Sequence, residues 1–149
     1  MRTVSNILET KDDPNNSIEP TAMVIDALKK LISVNLSYLI VYENNEYKGI
    51  FSERDYTRKL VLEGRSSRDT MVTDVLTTDL PEVSLSTTVE DCMYLMNNRG
   101  SRYLAVFNKD KFTGIVTIHD LLREALASKE DVFNHASELV NTAESGKFF

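Results

Sequence analysis

Two hydroxyl–carboxylate pairs, Ser52 with Asp55 and Thr117 with Asp120, combine hydrogen-bonding side chains at a spacing of three residues. Each hydroxyl residue ends an apolar strand and starts a helix, so the aspartate three positions on lies one turn away on the same side. The start of a helix presents unpaired N–H groups and a partial positive charge, which attract phosphate. The same spacing is also that of a capping box, a purely structural role. Both interpretations stay open for an isolated pair.

The two pairs belong to a longer pattern that occurs twice. Tyr38-Leu39-Ile40-Val41 and the segment from Gly49 to Asp55 return 65 positions later as Tyr103-Leu104-Ala105-Val106 and the segment from Gly114 to Asp120. A fixed internal period defines the structural unit. Residues of the first copy that meet an identical residue at this offset include Val24, Asp26, Tyr38, Leu39, Val41, Gly49, Ile50 and Asp55.

The elements that must position these pairs follow one order in each copy: a short extended segment, a helix, a two-stranded hairpin and a second helix. Lead-in segments over 4–8 and 72–76 resemble each other, and 129–141 is predicted to be a further helix before a frayed end. In the first copy we predict an extended segment over 17–19, a helix capped by Thr21, and strands 38–42 and 47–51 around Asn44-Asn45. The copy then ends with a helix that is capped by Ser52, carries Tyr56, Leu60 and Val61 on one face, and ends at Gly64. In the second copy we predict an extended segment over 83–85, a helix capped by Thr87 or Thr88, and strands 102–107 and 112–116. A last helix is capped by Thr117, and its Leu121, Leu122, Ala125 and Leu126 are available for packing.

One β-α-β-β-α unit leaves a sheet face uncovered, and two units can bury each other's exposed faces. The predicted fold is therefore α+β, built from two α/β-type repeats that pack through their sheets. We place the first repeat at 1–67, the second at 68–128, and a C-terminal helix with a frayed tail at 129–149.

Composition limits the classes of function. The 149 residues carry a net charge of −6, which argues against a nucleic-acid binder because such proteins need a basic surface. No apolar run approaches the roughly 20 residues that span a bilayer, and no export signal is evident. The lone Cys92, whose counterpart in the first copy is Ala27, is expected to be a buried small side chain in a protein of the reducing cytoplasm.

Catalysis and metal binding find no support in the sequence. His119 and His135 have no cysteine or repeated carboxylate at metal-ligand spacing. No nucleophile elbow or glycine-rich phosphate loop is present. The sequence therefore predicts neither an enzyme nor a metal site.

The repeated pattern of apolar strand, glycine, two apolar residues, Ser or Thr, two variable residues and Asp resembles the cystathionine-β-synthase (CBS) domain family. Members of this family occur as tandem pairs, and the likeness covers residues 3 to 127. It is closest to stand-alone CBS-pair proteins, in which a segment like Ser52–Tyr56 is followed by one like Gly64–Thr70. The resemblance implies a pseudo-twofold pair with a cleft between the repeats that binds AMP, ADP, ATP, NAD or S-adenosylmethionine.

Carried over residue by residue, the resemblance implies that Asp55 with Ser52, and Asp120 with Thr117, hold the ribose. An ionised carboxylate can accept both hydrogen bonds of a cis-diol. Phosphate candidates are Arg54, its counterpart His119, Arg65 and Arg68, with a solvated basic surface as the alternative. The base-pocket candidates are Tyr38, Leu39, Tyr103 and Leu104, with core packing as the alternative for the leucines.

The sequence departs from the family at the predicted base pocket. Tyr38 stands where the family often has a small residue, and Tyr103 replaces a histidine. Ile40 and Ala105 stand where proline is common. Recognition of the base is therefore the part of the resemblance that these positions put in question.

The first hypothesis is a cytoplasmic regulatory module that senses an adenine nucleotide or NAD, requires no other cofactor, and signals to an unknown downstream protein. A homodimer is expected from the resemblance, with no nucleic-acid or membrane partner. The second is a ligand-free interaction scaffold whose clefts are occluded by Tyr38 and Tyr103. A nucleotide-dependent enzyme is the third.

Overall fold

The computed structural model describes residues 1–127, so the helix predicted over 129–141 and the predicted frayed tail lie outside the described residues. The described chain forms two compact units. One comprises Asp12–Leu80, and the other comprises Met1–Lys11 together with the chain from Pro81 onward. Each unit contains one three-stranded sheet, of order β1-β2-β3 in the first and β4-β5-β6 in the second.

The elements confirm the predicted order of each copy. The short helix α3 continues without a break into a π-helical stretch, Tyr56–Val61, and a 3₁₀ turn covers Val72–Asp74. In chain order the labelled elements are α1 (Val4–Thr10), β1 (Ser17–Ile18), α2 (Val24–Val34), β2 (Tyr38–Glu43), β3 (Glu46–Ser52), α3 (Glu53–Asp55), β4 (Glu82–Val83), α4 (Val89–Arg99), β5 (Tyr103–Asn108), β6 (Lys111–Thr117) and α5 (Ile118–Ala127).

Both sheets have the same pairing. β1 runs parallel to β2, and β4 runs parallel to β5, while β2–β3 and β5–β6 are antiparallel hairpins. The first hairpin turns through Asn44 and Asn45, both with positive φ (52° and 65°), as the sequence predicted. This pairing brings the end of β3 and the end of β6, where the two predicted site pairs begin, to equivalent places in their sheets.

Each sheet packs one face against a helix, because the apolar residues of that helix recur at helical spacing. Val24, Ala27 and Leu31 of α2 lie in a core with Leu39 and Phe51 of the first sheet. The second core is built in the same way from α4 and its sheet, and its members include Val89, Cys92, Met96, Leu104, Val106 and Val116.

The compact units divide the chain differently from the sequence repeats at 1–67 and 68–128. Val4 and Ile7 of α1 are buried in the core of the second unit, while Val72 and Val75 are buried in the core of the first. Backbone bonds hold these lead-ins in place, from Val4 N to Thr87 O (2.9 Å) and from Val72 N to Ala22 O (2.9 Å). The first lead-in therefore completes the core of the second repeat, and the second lead-in completes the core of the first.

One predicted helix cap needs correction, and another is confirmed. The helix expected to be capped by Thr21 begins at Val24, preceded by Met23, which offers no side-chain cap. In α4, by contrast, Thr88 accepts a hydrogen bond from Asp91 N at 3.0 Å, which confirms one of the two predicted caps.

The buried face of the last helix in each unit is also narrower than predicted. Leu121 is fully buried, but Leu122 and Leu126 are exposed, and so is Val61 at the position equivalent to Leu126. A residue five positions along an α-helix lies about 140° around its axis, which turns Leu126 away from the side on which Leu121 packs. These apolar side chains are consequently on the surface of their units.

Candidate functional site

Asp55 is a buried carboxylate whose two oxygens have different partners. Its Oδ2 accepts hydrogen bonds from the N and Oγ of Ser52, at 2.9 and 3.0 Å. Its Oδ1 accepts one from Thr77 Oγ1 at 2.6 Å and lies 3.0 Å from Lys59 Nζ. Ser52 Oγ also accepts a hydrogen bond from Asp55 N, which completes a capping box. The structural role that the spacing allowed is therefore present in the first unit.

Asp120 occupies the equivalent position in the second unit and is equally buried. Its Oδ2 accepts from Thr117 N at 2.9 Å and from Lys11 Nζ at 2.7 Å. Asp120 N in turn donates to Thr117 Oγ1 at 3.2 Å. Arg123 Nη1 lies 3.4 Å from Asp120 Oδ1, and its side chain is largely exposed. Both predicted pairs thus meet at the junction of strand and helix in their units, at less than 6% residue exposure of the aspartate.

Thr77 reaches Asp55 because its backbone is fixed to β3. Ile50 and Thr77 exchange two backbone hydrogen bonds, at 3.0 and 2.8 Å. Gly49 makes this approach possible, since a Cβ at that position would lie 2.2 Å from Thr77 O, and its φ of 149° is unfavourable for other residues. The repeated Gly49 is therefore required by a close backbone contact beside the site.

The two aspartates receive their cations from different parts of the chain, and neither lysine belongs to the repeated pattern that predicted the site. Lys59 lies one helical turn after Asp55, so the i,i+4 spacing was a usable signal. Its counterpart in the second copy is Glu124, which pairs with Arg2 at 2.8 Å. Lys11 follows α1 and is 109 residues from Asp120, a separation at which no local pattern could reveal the contact.

The predicted base-pocket tyrosines lie beside the hydroxyl residues. Tyr38 is paired with Ser52 across the hairpin, and Tyr103 is paired with Thr117. Directly opposite residues of an antiparallel pair project from the same face of the sheet. Tyr38 is buried and Tyr103 is half-buried. The fold therefore places an aromatic ring next to each predicted sugar site.

The two leucines predicted for the base pocket project from the opposite face. Side chains alternate along a strand, so Leu39 and Leu104 face away from the side that carries the tyrosines. Both are fully buried, and each belongs to the apolar core of its own unit. The structure favours core packing over a base-pocket role for both residues.

The four phosphate candidates are all exposed. Arg54 precedes Asp55 on α3, and His119 precedes Asp120 on α5. Arg65 and Arg68 lie in the loop that follows the π-helical stretch, and backbone bonds from Ile25 N to Ser67 O and from Val24 N to Thr70 O tie that loop to the start of α2. Arg54 and His119 are therefore adjacent to the aspartates in the chain, whereas Arg65 and Arg68 lie in a loop bound to the start of α2.

A surface hollow of about 380 Å³ lies elsewhere in the first unit. Its lining comprises Ser17, Ile18, Glu19, Ala22, Lys30 and Tyr42. Lys30 Nζ donates to the carbonyl of Ser17, and burial, followed by the charge of Asp13, raises the pKa of Tyr42. None of the predicted site residues lines this hollow, so it is separate from the aspartate sites.

Cys92 is fully buried, as predicted from its counterpart Ala27. Burial, followed by the negative charge of Asp91, raises the pKa of its thiol to about 11. A thiol with that pKa is a poor nucleophile at neutral pH. Among residues 1–127, no group of three or more His, Cys, Asp or Glu side chains is arranged to hold a metal ion.

Comparison with known proteins gives one family. The family model described as CBS domain matches residues 4–62 and 72–127. The mitochondrial CBS domain-containing protein CBSX3 of Arabidopsis thaliana is 35% identical over 121 residues, which cover 78% of this chain and 56% of the plant protein. The chain therefore matches little more than half the length of this curated relative.

Two solved structures have a similar fold. A protein with CBS domains from Burkholderia ambifaria has a TM-score of 0.77 and 33% identity, and the match covers 86% of this chain and 96% of that one. CBSX2, whose structure was determined in complex with AMP, has a TM-score of 0.68 and 28% identity, with coverages of 85% and 97%.

Proposed function

The chain belongs to the CBS domain family, with one copy of the domain over 4–62 and one over 72–127, and we propose that it is a regulatory module that binds an adenosine-containing ligand. AMP, ADP, ATP, NAD and S-adenosylmethionine are the candidates. The similar CBSX2 in complex with AMP supports the choice of an adenine nucleotide. The ribose would be held by Asp55 with Ser52 and by Asp120 with Thr117.

The observation that carries this proposal is the surroundings of the two aspartates. In each unit one carboxylate oxygen is bound by a backbone N–H that belongs to the fold, from Ser52 or Thr117. The second oxygen is approached by side-chain donors, Thr77 and Lys59 in one unit and Arg123 in the other. Sugar hydroxyls can exchange with side-chain donors without breaking the helix cap, so binding and capping are compatible.

The phosphate would lie near Arg54 in the first unit and near His119 in the second. Arginine is always charged and has a planar fork of donors, whereas histidine is a pH-dependent cation. We therefore expect the two sites to differ in affinity for a phosphorylated ligand. Tyr38 and Tyr103 would contact the base.

As a regulatory module, the protein would respond to its ligand by population shift, which requires that the ligand bind two states with different affinity. No helix within residues 1–127 is long and apolar enough to cross a membrane. Cytoplasmic location stays a prediction, and the name of CBSX3 places that relative in mitochondria.

Self-association is part of the proposal. Ile32 and Tyr94 are exposed on α2 and α4, and Val61, Leu62, Leu122 and Leu126 are exposed on or just after the last helix of each unit. A contiguous exposed apolar patch marks a surface that binds another protein, and we propose that these side chains contribute to such a patch on their own units. A second copy of the chain is the partner that we expect.

A thermal-unfolding panel with AMP, ATP, NAD and S-adenosylmethionine tests the proposal. A ligand at 100 times its Kd stabilises the folded state by about 2.7 kcal/mol, which raises the melting temperature. Asp55→Ala and Asp120→Ala should each weaken binding at one site by roughly tenfold to several hundredfold, because a hydrogen bond to a charged group contributes about 1.5–3 kcal/mol. No shift with any ligand would instead favour the interaction scaffold.

A further inference from the structure

The hydrogen-bonding capacity of Asp55 is already used within its own unit. An ionised carboxylate has roughly four lone-pair positions for donors. Ser52 N and Ser52 Oγ bind Oδ2, while Thr77 Oγ1 and Lys59 Nζ bind Oδ1. A sugar hydroxyl can therefore reach Asp55 only by replacing one of these four donors.

Lys59 is the donor whose departure costs the fold least. Ser52 N belongs to the capping box, and Thr77 is fixed by its two backbone bonds to Ile50. The Lys59 side chain is 42% exposed and has a flexible four-carbon stem. Its ammonium also donates to Leu76 O and Thr77 Oγ1, at 3.1 and 3.2 Å, and all three contacts can be exchanged for water at the surface.

Lys11 is the lysine at Asp120, where it shares Oδ2 with the capping Thr117 N, whereas Lys59 binds the other oxygen, Oδ1, of Asp55. The Lys11 ammonium binds Asp120 Oδ2 and the carbonyl of Ile115, each at 2.7 Å. The Lys11 side chain is only 18% exposed, so it is held more firmly than Lys59. Since Thr117 N also binds Oδ2, Lys11 is the donor that a hydroxyl approaching that oxygen must replace.

We propose that Lys59 and Lys11 are internal occupants of the sugar-binding carboxylates and that a ribose displaces them. This inference rests on the proposed function. It assigns a regulatory role to two residues outside the repeated pattern. Each lysine neutralises its aspartate and opposes ligand binding by a free energy that the ligand must exceed. Because Lys59 is more exposed, it would be released more readily than Lys11.

Amine modification on the wild-type chain tests displacement directly. The full chain is treated with a limiting amount of an acetylating reagent, with and without saturating adenosine, and the rate at each lysine is measured by mass spectrometry. Displacement predicts that adenosine raises the modification rate of Lys59, and of Lys11 if its site is filled. Lys48, whose one ion pair within residues 1–127 is with the exposed Glu46, is the internal control and should not change.

The sign of the effect decides the inference. If Lys59 contacted the ligand directly, adenosine would protect it and its modification rate would fall. A fall, or no change at Lys59 and Lys11 while calorimetry shows adenosine bound, would overturn displacement and leave the proposed function intact. If adenosine, AMP and the other candidate ligands bind neither the wild type nor the lysine variants, both proposals fail.

Lys59→Met provides a second test that keeps the apolar stem of the side chain. Adenosine carries no phosphate, so loss of the positive charge does not weaken its attraction to the protein. We expect adenosine to bind Lys59→Met about two- to fivefold more tightly, the range expected for removal of a partly exposed ion pair. Lys48→Met should leave the Kd unchanged. Weaker binding by Lys59→Met at an unchanged melting temperature would contradict displacement, and the modification test on the wild type decides the matter if that variant does not fold.

Discussion

The aspartates show how one residue can serve structure and binding together. Asp55 is the N3 residue of a capping box, and Asp120 makes the same pair of bonds with Thr117. Helix capping alone therefore explains why a carboxylate stands at these positions. Capping does not explain why a lysine forms an ion pair with each carboxylate. Ion pairs at buried carboxylates compensate for the cost of burial, and they also leave a cation that a competing donor can replace.

At the scale of single residues, the sequence predicted the pairs but not their partners. Ser52 with Asp55 and Thr117 with Asp120 were found because helix spacing is local and the pattern is repeated. Lys59 was within reach of the same reasoning. Lys11 and Thr77 were not, because they reach their aspartates through tertiary contacts of the lead-in segments.

The buried thiol of Cys92 gives a prediction about pH. Its pKa rises to about 11 in the folded protein from an ordinary value of 9.0, so the folded state favours the neutral thiol. The associated stability is fully present below pH 9 and is lost as the pH rises from 9 to 11. We expect the free energy of urea-induced unfolding to fall over this interval less steeply in Cys92→Ala than in the wild type. Ala27 is the natural precedent for alanine at this position, and equal slopes in the two proteins would contradict the prediction.

At the scale of elements, the repeat allowed most of the fold to be predicted. The alternation of apolar residues predicted both hairpins, and the Asn44-Asn45 turn was correct because those residues tolerate positive φ. The exact start of α2 was missed, because backbone bonds from the loop before the 3₁₀ turn, rather than Thr21, satisfy its first N–H groups. The π-helical stretch Tyr56–Val61 had no recognised sequence signal.

The repeated glycines give a matched pair of substitutions. Gly49→Ala would place a methyl group 2.2 Å from Thr77 O at a φ of 149°, and overpacking and backbone strain each cost about 1–3 kcal/mol. Among residues 1–127, the methyl group of Gly114→Ala would meet the side chain of Leu8 alone, at 3.5 Å. We expect Gly49→Ala to lower the free energy of unfolding by at least about 2 kcal/mol, and Gly114→Ala to leave it unchanged or raise it by up to about 1 kcal/mol. Chemical denaturation measures both, and equal effects would show that the two glycines have the same role.

At the scale of the whole molecule, the covalent order and the compact units differ. The sequence showed two matching lead-ins but gave no sign that each completes the core of the other repeat. This arrangement depends on contacts between residues far apart in the chain, such as Ile7 with the core that contains Leu104 and Val116. Periodicity within a segment cannot report such contacts.

Ile7→Ala tests this arrangement. Ile7 is buried in the core of the second unit, and removal of a large aliphatic side chain from a core costs about 2–5 kcal/mol. Hydrogen exchange in the variant should therefore accelerate mainly in β5 and β6. Its counterpart Val75→Ala should accelerate exchange mainly in β2 and β3. Faster exchange in β2 and β3 of Ile7→Ala, with β5 and β6 unchanged, would contradict the assignment of α1 to the second unit.

The exposed apolar side chains predict self-association. Leu62→Glu together with Ile32→Glu places charges on two highly exposed positions of the first unit. We expect sedimentation to show the wild type as a dimer and the double variant as a monomer at the same concentration, with circular dichroism showing that the variant is folded. A wild-type monomer at all concentrations would contradict this part of the proposal.

The central claim is that the buried carboxylates Asp55 and Asp120 bind the two hydroxyls of a ribose. Calorimetry that compares adenosine with 2′,3′-dideoxyadenosine tests it most directly, because the two ligands share the base and differ at the sugar hydroxyls that the aspartates would accept. Loss of the hydroxyls should weaken binding to the wild type by at least about tenfold, since each charged hydrogen bond contributes about 1.5–3 kcal/mol. Asp55→Asn with Asp120→Asn should remove most of this difference. Equal affinities of the wild type for the two ligands would show that the aspartates do not bind the ribose hydroxyls.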